Sequence, residues 1–279
     1  MAKAFSVASW NVEHFKNKDS KVERVVKFLD KQNPDVFALY EVEGAEVFSE
    51  LTTKMPGYAF HITEGPQTQE ILVGAKKTLT SFFTQKLEFK AGNQFLRPGA
   101  LLTVTVAGKN YPILFLHTKS SNTPVGLGIR DDMFRRALKF KATLDKAVAA
   151  QTGSNSAANY MFLGDLNTMG MKYLFQKSID APTELRKLDA DAKRREMRRL
   201  TKTHPATWSN GSGSSIPDSD LDQVVIATQL KLKSFGSDTN GNPIEVAVRG
   251  WVDETPGTQK DKWIREHSDH SLLFFQVEK

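Results

Sequence analysis

The chain has 279 residues, of which 39% are hydrophobic, and it carries a formal net charge of +6 and no cysteine. This length suits one large or two small domains, and the lack of cysteine excludes a disulfide framework, a thiolate zinc site and a cysteine nucleophile. The positive charge favours a polyanionic partner, either nucleic acid or an anionic lipid surface. No apolar run reaches the roughly 18 residues of a membrane span, so no membrane span is expected. No signal segment is visible, which predicts a cytoplasmic protein unless the chain is the trimmed form of a secreted one.

The first 40 residues predict a strand, a helix and a second strand. Residues 5–10 and 35–40 are apolar runs typical of buried strands. Between them, Ser20 and Glu23 form a capping box that begins a helix, and Asn33-Pro34 ends it. Apolar residues at helical spacing give this helix one buried face. The order indicates a βαβ-type unit.

The rest of the chain predicts mostly antiparallel sheet with further helices. A second helix is expected over residues 45–54 and a long one over residues 129–149. Alternating or apolar runs predict strands at residues 58–63, 70–76, 79–89, 99–106, 112–117, 221–227 and 271–277. Because strands and helices alternate in both halves, we expect a single domain over residues 1–279, with a β-sandwich covered by helices.

Residues 182–202 differ from the rest in composition, with eight Lys and Arg residues and few apolar positions. We expect a basic helical insertion within the domain. Such a run is typical of a solvated helix face. The alternative is a surface that contacts a phosphate backbone, which would make binding strongly salt-dependent.

An apolar strand over residues 160–163 is followed by Gly164-Asp165-Leu166-Asn167. If the strand continued, the side chains of Asp165 and Asn167 would point to the same side. Their oxygens could then hold a water or phosphate beside a hard metal ion. The alternative is an Asx turn, in which both side chains bond only to their own backbone.

Polar residues recur at the ends of predicted strands throughout the chain, which is hard to explain as capping alone. Carboxylates and amides in such a group suit Mg²⁺ or Mn²⁺, and histidines add proton transfer near neutral pH. A Ser-His-Asp hydrolase is the competing interpretation, but the chain has no Gly-x-Ser-x-Gly elbow. The strand-end residues are Asn11, Glu41, His117, Asp165, Asn167, Asp222, Asp269 and His270.

In this order, the motifs resemble the endonuclease/exonuclease/phosphatase superfamily, which has the deoxyribonuclease-I-like fold. The resemblance covers nearly the whole chain and is similar to deoxyribonuclease-like bacterial nucleases. It implies a four-layer α/β/β/α sandwich of two mostly antiparallel sheets, packed face to face with helices outside. The matching segments are Ser9-Trp-Asn-Val-Glu13, Leu39-Tyr-Glu-Val42, Gln69-Glu70-Ile71, Phe95-Leu-Arg-Pro98, Leu116-His-Thr-Lys119, Gly164-Asp-Leu-Asn167, Asp220-Leu-Asp-Gln-Val224 and Ser268-Asp-His270.

The resemblance also implies metal-dependent phosphoester hydrolysis and a role for each motif residue. Glu41, with Asn11 and Asp269, would hold Mg²⁺, for which Mn²⁺ could substitute. Asp165 would orient or deprotonate the attacking water, and Asn167 would hold a phosphate oxygen. Catalytic pairs are implied for Glu70 with His117 and for Asp222 with His270. Arg97, Lys119 and Arg130 are the expected phosphate-binding residues.

The motifs predict a monomeric DNA endonuclease of low sequence specificity, with DNA favoured over RNA. The Glu70, His117 and Arg97 matches favour this substrate, as does the basic segment. The His117-Thr-Lys-Ser run also resembles bacterial lipid-cleaving relatives, so a sphingomyelinase-like lipid phosphodiesterase or a phosphatase is the alternative. A nucleic-acid-binding module without activity is a third possibility, although no motif position is replaced.

Overall fold

The computed structural model describes residues 2–16, 19–43, 45–66, 69–153 and 156–279. They form twelve strands and five α-helices that divide between two compact units. The first unit comprises residues 1–80, 201–219 and 231–279, and the second comprises residues 81–200 and 220–230. The strands are β1 (Lys3–Phe15), β2 (Val36–Val42), β3 (Tyr58–Ile62), β4 (Glu70–Lys76), β5 (Thr80–Lys86), β6 (Gly99–Val106), β7 (Lys109–His117), β8 (Met161–Asp165), β9 (Met197–Arg199), β10 (Asp222–Ala227), β11 (Ala247–Arg249) and β12 (Leu272–Glu278). The helices are α1 (Asp19–Gln32), α2 (Ala45–Lys54), α3 (Pro124–Thr152), α4 (Ala181–Lys193) and α5 (Thr258–Glu266).

The first unit contains a six-stranded sheet in the order β11-β12-β1-β2-β4-β3. β1 and β2 run parallel and are connected through α1, as a parallel pair requires a crossover. The other pairs described in this sheet are antiparallel. Trp10, Phe37 and Leu72 of the sheet are fully buried in one apolar cluster with Val25 and Leu29 of α1. The predicted buried face of this helix is therefore confirmed.

The second unit contains another six-stranded sheet, in the order β5-β6-β7-β8-β10-β9. Here β7 and β8 are the parallel pair, and α3 is the crossover between them. Thr123 caps α3 by accepting a hydrogen bond from the Gly126 amide, and Gly153 ends it with a φ of 65°. Met133, Phe134 and Leu138 of α3 pack with Leu114 and Phe162 of the sheet. Each unit thus places two parallel strand ends side by side at one sheet edge.

The α/β class and the two mostly antiparallel sheets predicted from the sequence are confirmed. The predicted single domain over residues 1–279 stays a prediction. The first strand is longer than expected, because β1 continues through Asn11 to Phe15. Among the described residues, no helix has both the length and the apolar character needed to cross a membrane.

The basic segment is only partly helical. α4 ends at Lys193, Glu196 takes a left-handed backbone with a φ of 54°, and β9 follows and pairs with β10. Leu188 and Ala192 are buried at helical spacing in α4, whereas Met197 is buried in the next strand. The expectation of a helix to residue 202 was wrong because the strand pairing of residues 197–199 is a long-range contact that composition does not encode.

Candidate active site

In the first unit, Asn11 and Glu41 meet at the ends of the parallel strands β1 and β2. Asn11 lies opposite Tyr40 in the strand register, and its side-chain amide donates to Glu41 Oε1 at 3.1 Å. The His14 backbone amide and Gln69 Nε2 both donate to Glu41 Oε2, at 3.0 and 3.1 Å. The carboxylate of Glu41 is therefore held in one orientation, as a metal ligand requires.

The backbone at this edge is strained. Glu41 has a φ of 61°, and Glu13 and His14 each have a φ of 44°. A left-handed conformation costs a residue other than glycine about 1–3 kcal/mol, and such residues cluster at functional sites. The register of β1 and β2 also shifts between Asn11 and Phe15, which is typical of a bulge that redirects side chains.

The segment before β12 brings Asp269 to the same edge. Ser268 Oγ donates to the Asn11 carbonyl at 2.7 Å and accepts from the His270 amide at 3.0 Å. Trp208 Nε1 donates to Asp269 Oδ2 at 2.6 Å, which fixes this carboxylate. His270 is buried, and its carbonyl accepts from Trp10 Nε1 at 2.9 Å. Asn11, Glu41 and Asp269, the three predicted metal ligands, therefore share one edge of the first unit's sheet.

Glu13 belongs to this group but was not among the predicted site residues. Burial raises the pKa of its carboxyl, and the nearby carboxylates of Asp269 and Glu41 raise it further, against the lowering effects of Lys21 and His14. Three carboxylates are thus close enough to repel one another, and a divalent cation would relieve that repulsion. The donors are oxygens without thiolate, so they fit Mg²⁺ or Mn²⁺. The signal was present in the sequence, because Glu13 ends the first matching motif.

Glu70 and Gln69 lie at the start of β4, beside the end of β2. Glu70 pairs with Val42 in the strand register, and its Oε2 accepts from Thr63 Oγ1 at 2.5 Å. Gln69, which the sequence reasoning did not select, contacts Glu41 directly. The predicted pair of Glu70 with His117 takes one residue from each unit and stays a prediction.

In the second unit, His117 and Asp165 end the parallel strands β7 and β8. They lie opposite each other in the register, and His117 Nε2 is 3.4 Å from Asp165 Oδ2. The two side chains are only 3% and 2% exposed. In a buried site the carboxylate favours the protonated imidazole, so this pair can take up and release a proton. The sequence reasoning had selected both residues but not their contact.

Asn167 does not continue the strand as expected. Its φ is 48°, its amide donates to Asp165 Oδ1 at 3.1 Å, and its side chain donates to the Thr118 carbonyl at 3.2 Å. The expectation that Asp165 and Asn167 extend to one side was therefore wrong, because a left-handed residue turns the chain. The Asx turn involves one oxygen of Asp165, while the other oxygen faces His117.

Asp222 begins β10 and lies opposite Asp165 in the antiparallel register. It is 1% exposed, and the two carboxylates offer ligand atoms within 4.8 Å of each other. These buried acidic groups, with the imidazole of His117, could hold a metal ion. The predicted pair of Asp222 with His270 joins residues of different units, so it stays a prediction.

Two of the three predicted phosphate-binding residues lie beside His117. Lys119 follows it by two residues and is half-buried. Arg97 is also half-buried and precedes Ala100, which pairs with Phe115 near the end of β7. Both cations are therefore at the sheet edge that carries His117 and Asp165, where phosphate binding by them stays a prediction.

Arg130, the third predicted phosphate-binding residue, is fully buried in an ion pair with Glu184. Its Nε is 2.7 Å from Glu184 Oε1, and its Nη2 is 3.0 Å from Oε2. The guanidinium also donates to the carbonyls of Ser121 and Gly170, at 2.5 and 2.7 Å. These contacts argue against phosphate binding, because every side of the group is occupied within the fold. Arg130 instead ties together the loops that follow His117 and Asn167.

Removing this guanidinium is expected to destabilise the second unit. Arg130→Met leaves a buried carboxylate without its partner, which costs about 3–5 kcal/mol in the free energy of unfolding. The double change Arg130→Met with Glu184→Leu is expected to cost less than Arg130→Met alone. Urea unfolding of both variants measures the two values, and a double variant less stable than the single one contradicts the assignment.

The basic segment carries ion pairs that reduce its free positive charge. Arg194 pairs with Asp191 at 2.8 Å, and Arg199 makes two bonds of 2.8 Å to Asp189. Lys187 pairs with Asp131 and Asp191. These contacts favour a solvated, ion-paired surface over a phosphate-binding one, and phosphate contact by the segment stays a prediction.

Solved structures resemble this chain over almost its whole length. Danio rerio TDP2, in a crystal structure with a single-strand DNA product, is 16% identical with a TM-score of 0.63, and 99% of each chain is covered. A mannosyl-6-phosphatase of Bacteroides thetaiotaomicron is 12% identical with a TM-score of 0.60, covering 99% of this chain and 100% of the other. An endonuclease/exonuclease/phosphatase protein of Bacteroides vulgatus is also 12% identical, with a TM-score of 0.60 and 98% of each chain covered.

No family model and no curated protein matches the sequence. At identities this low, structural likeness establishes the fold and leaves the activity to be argued from the site. The fold predicted from the ordered motifs is thereby confirmed, and the chain has the deoxyribonuclease-I-like fold of the endonuclease/exonuclease/phosphatase proteins.

Proposed function

We propose that this protein is a divalent-metal-dependent phosphodiesterase that hydrolyses DNA as an endonuclease of low sequence specificity. The observation that carries the proposal is the buried contact between His117 and Asp165, beside the strained backbone of Asn167. A buried imidazole and carboxylate at adjacent strand ends can accept a proton from water. The occurrence of this fold in hydrolases of phosphate esters supports phosphoester chemistry.

The residues of each unit have distinct roles in the proposed reaction. Glu41, Asn11 and Asp269, with Glu13, would hold Mg²⁺, which supplies positive charge to the phosphoryl oxygens when bound. Asp165 and His117 would orient and deprotonate the attacking water, and Asn167 would hold a phosphate oxygen. His270, Asp222 and Glu70 would assist proton transfer to the leaving oxygen. Arg97 and Lys119 would hold the phosphodiester by charge-assisted hydrogen bonds.

DNA is the proposed substrate because the chain is basic and two cations lie beside the proposed proton-transfer pair. The net charge is +6, and the structure of Danio rerio TDP2 contains a DNA product. A phosphatase or lipid phosphodiesterase is the second candidate, which the mannosyl-6-phosphatase of the same fold favours. Both candidates use the same residues on a phosphate ester and differ in the group attached to it.

Metal removal separates this mechanism from one that needs no cation. The protein is expected to nick plasmid DNA with Mg²⁺ or Mn²⁺ and to lose this activity in excess EDTA, because oxygen ligands without charge compensation stabilise no phosphoryl charge. Mg²⁺ should also raise the melting temperature, which reports binding independently of turnover. Full nicking in EDTA would falsify the proposal.

Parallel assays identify the substrate class. Plasmid DNA, mannose 6-phosphate and sphingomyelin are compared at equal enzyme and Mg²⁺ concentrations. We expect the highest kcat/KM for DNA. Release of phosphate from mannose 6-phosphate, or of phosphocholine from sphingomyelin, without nicking would replace DNA by the second candidate.

A further inference from the structure

Residues 172–178, here called the aromatic loop, expose large apolar side chains beside the His117–Asp165 edge of the second unit. Leu174 is 91% exposed, Phe175 is 85% exposed and Tyr173 is 39% exposed. Three such residues in succession are unusual on a monomer surface and indicate a binding function. Lys172 and Lys177 of the same loop are exposed as well.

The aromatic loop is held firmly at its base. Met171 and Ile179 exchange backbone hydrogen bonds of 2.7 and 2.9 Å, and the Lys172 amide donates to the Asn122 carbonyl at 2.7 Å. Gly170, with a φ of 71°, precedes the loop, and its amide and carbonyl bind Glu184 and Arg130. The buried ion pair therefore also anchors this loop.

The loop lies within reach of a substrate bound at Asn167. Tyr173 follows Asn167 by six residues, so their Cα atoms are at most about 22 Å apart. The rings of Tyr173 and Phe175 meet edge to face, with centroids 6.0 Å apart at 81°. Such a pair leaves ring faces open, and exposed aromatic faces bind nucleic-acid bases by stacking without regard to sequence.

We propose that the aromatic loop binds a single-stranded part of the nucleic-acid substrate, with a base stacked on Phe175 or Tyr173 and phosphates against Lys172 and Lys177. This inference rests on the proposed function. The combination of open rings with two lysines matches a strand that carries both bases and phosphates. A strand several nucleotides long also bridges the distance between the loop and Asn167. A membrane surface is the other partner that exposed apolar side chains fit, and the test below distinguishes it.

The experiment measures binding of a fluorescent oligothymidine by anisotropy in EDTA, where no turnover is expected. Phe175→Ala should weaken binding about tenfold, in line with the loss of one stacked base. Phe175→Trp should keep the affinity, since indole also stacks. Phe82→Ala is the matched control, because Phe82 is 71% exposed but lies on β5, the sheet's edge strand.

Kinetics and vesicle binding complete the test. Phe175→Ala should raise KM for DNA, while hydrolysis of bis(p-nitrophenyl) phosphate, too small to reach the loop, should be unchanged. An oligothymidine affinity equal to that of the unchanged protein, or no oligothymidine binding by the unchanged protein, overturns the inference. Loss of binding to phosphatidylserine vesicles with unchanged oligothymidine affinity assigns the loop to a membrane surface instead. Weakened oligothymidine binding in a protein that hydrolyses no DNA supports the loop's role and refutes only the proposed function.

Discussion

Glu41→Gln is expected to lower phosphodiester hydrolysis about 10³-fold, which corresponds to about 4 kcal/mol at the transition state. The substitution keeps the shape of the side chain but removes the negative charge that a divalent cation requires. It also places an amide against Asn11 Nδ2 and Gln69 Nε2, which now donate to Glu41. The measurement is kcat/KM on plasmid DNA at saturating Mg²⁺.

Glu43→Gln is the matched control for this prediction. Glu43 is two residues away and pairs with Lys16 and His14 at 2.9 Å, outside the proposed ligand group. The control should keep its activity and its Mg²⁺-induced rise in melting temperature, whereas Glu41→Gln should lose both. A Glu41→Gln variant that still binds Mg²⁺ and turns over normally would remove Glu41 from the ligand set.

His117→Ala is expected to lower kcat by about 10²–10⁴-fold, the usual contribution of a general acid or base. Adding Asp165→Asn should cost little more, because members of one proton-transfer unit are not additive. The 3.4 Å contact between the two side chains is the reason to expect this coupling. His61→Ala on β3 serves as the control for loss of an imidazole and should remain active.

The same cycle tests the predicted pair of Glu70 with His117. If Glu70 orients His117, Glu70→Gln should shift one limb of the pH–rate profile in the unchanged protein but not in His117→Ala. Additive losses for His117 and Asp165, together with a coupled loss for Glu70, would assign the histidine to Glu70. Near-normal turnover of His117→Ala would leave His270 as the histidine that acts in the reaction.

Local patterns in the sequence were enough to predict most strands and where their polar ends lie. The apolar runs around Trp10, Leu39, Leu116 and Leu163 are buried strands, as expected. A polar residue directly after such a run must lie at a sheet edge, and this reasoning located Asn11, Glu41, His117 and Asp165. The order of these motifs was also enough to predict the fold.

The sequence did not reveal which polar side chains bind one another, because that depends on register and loop packing. Arg130 had the composition of a phosphate ligand, but the fold buries it against Glu184, 54 residues away. Gln69 and Glu13 are ordinary surface residues in the sequence, and only the pairing of β1, β2 and β4 brings them to Glu41 and Asp269.

The sequence by itself determined the periodic features of this protein, and the tertiary structure decided its non-local contacts. Hydrophobic periodicity is a local property, so it predicted α1, α3 and the central strands. The left-handed turn at Asn167, the pairing of residues 197–199 with β10 and the contact of His117 with Asp165 depend on neighbours distant in the chain. Such contacts form only when whole elements pack together, because each compensates a local cost in strain or desolvation.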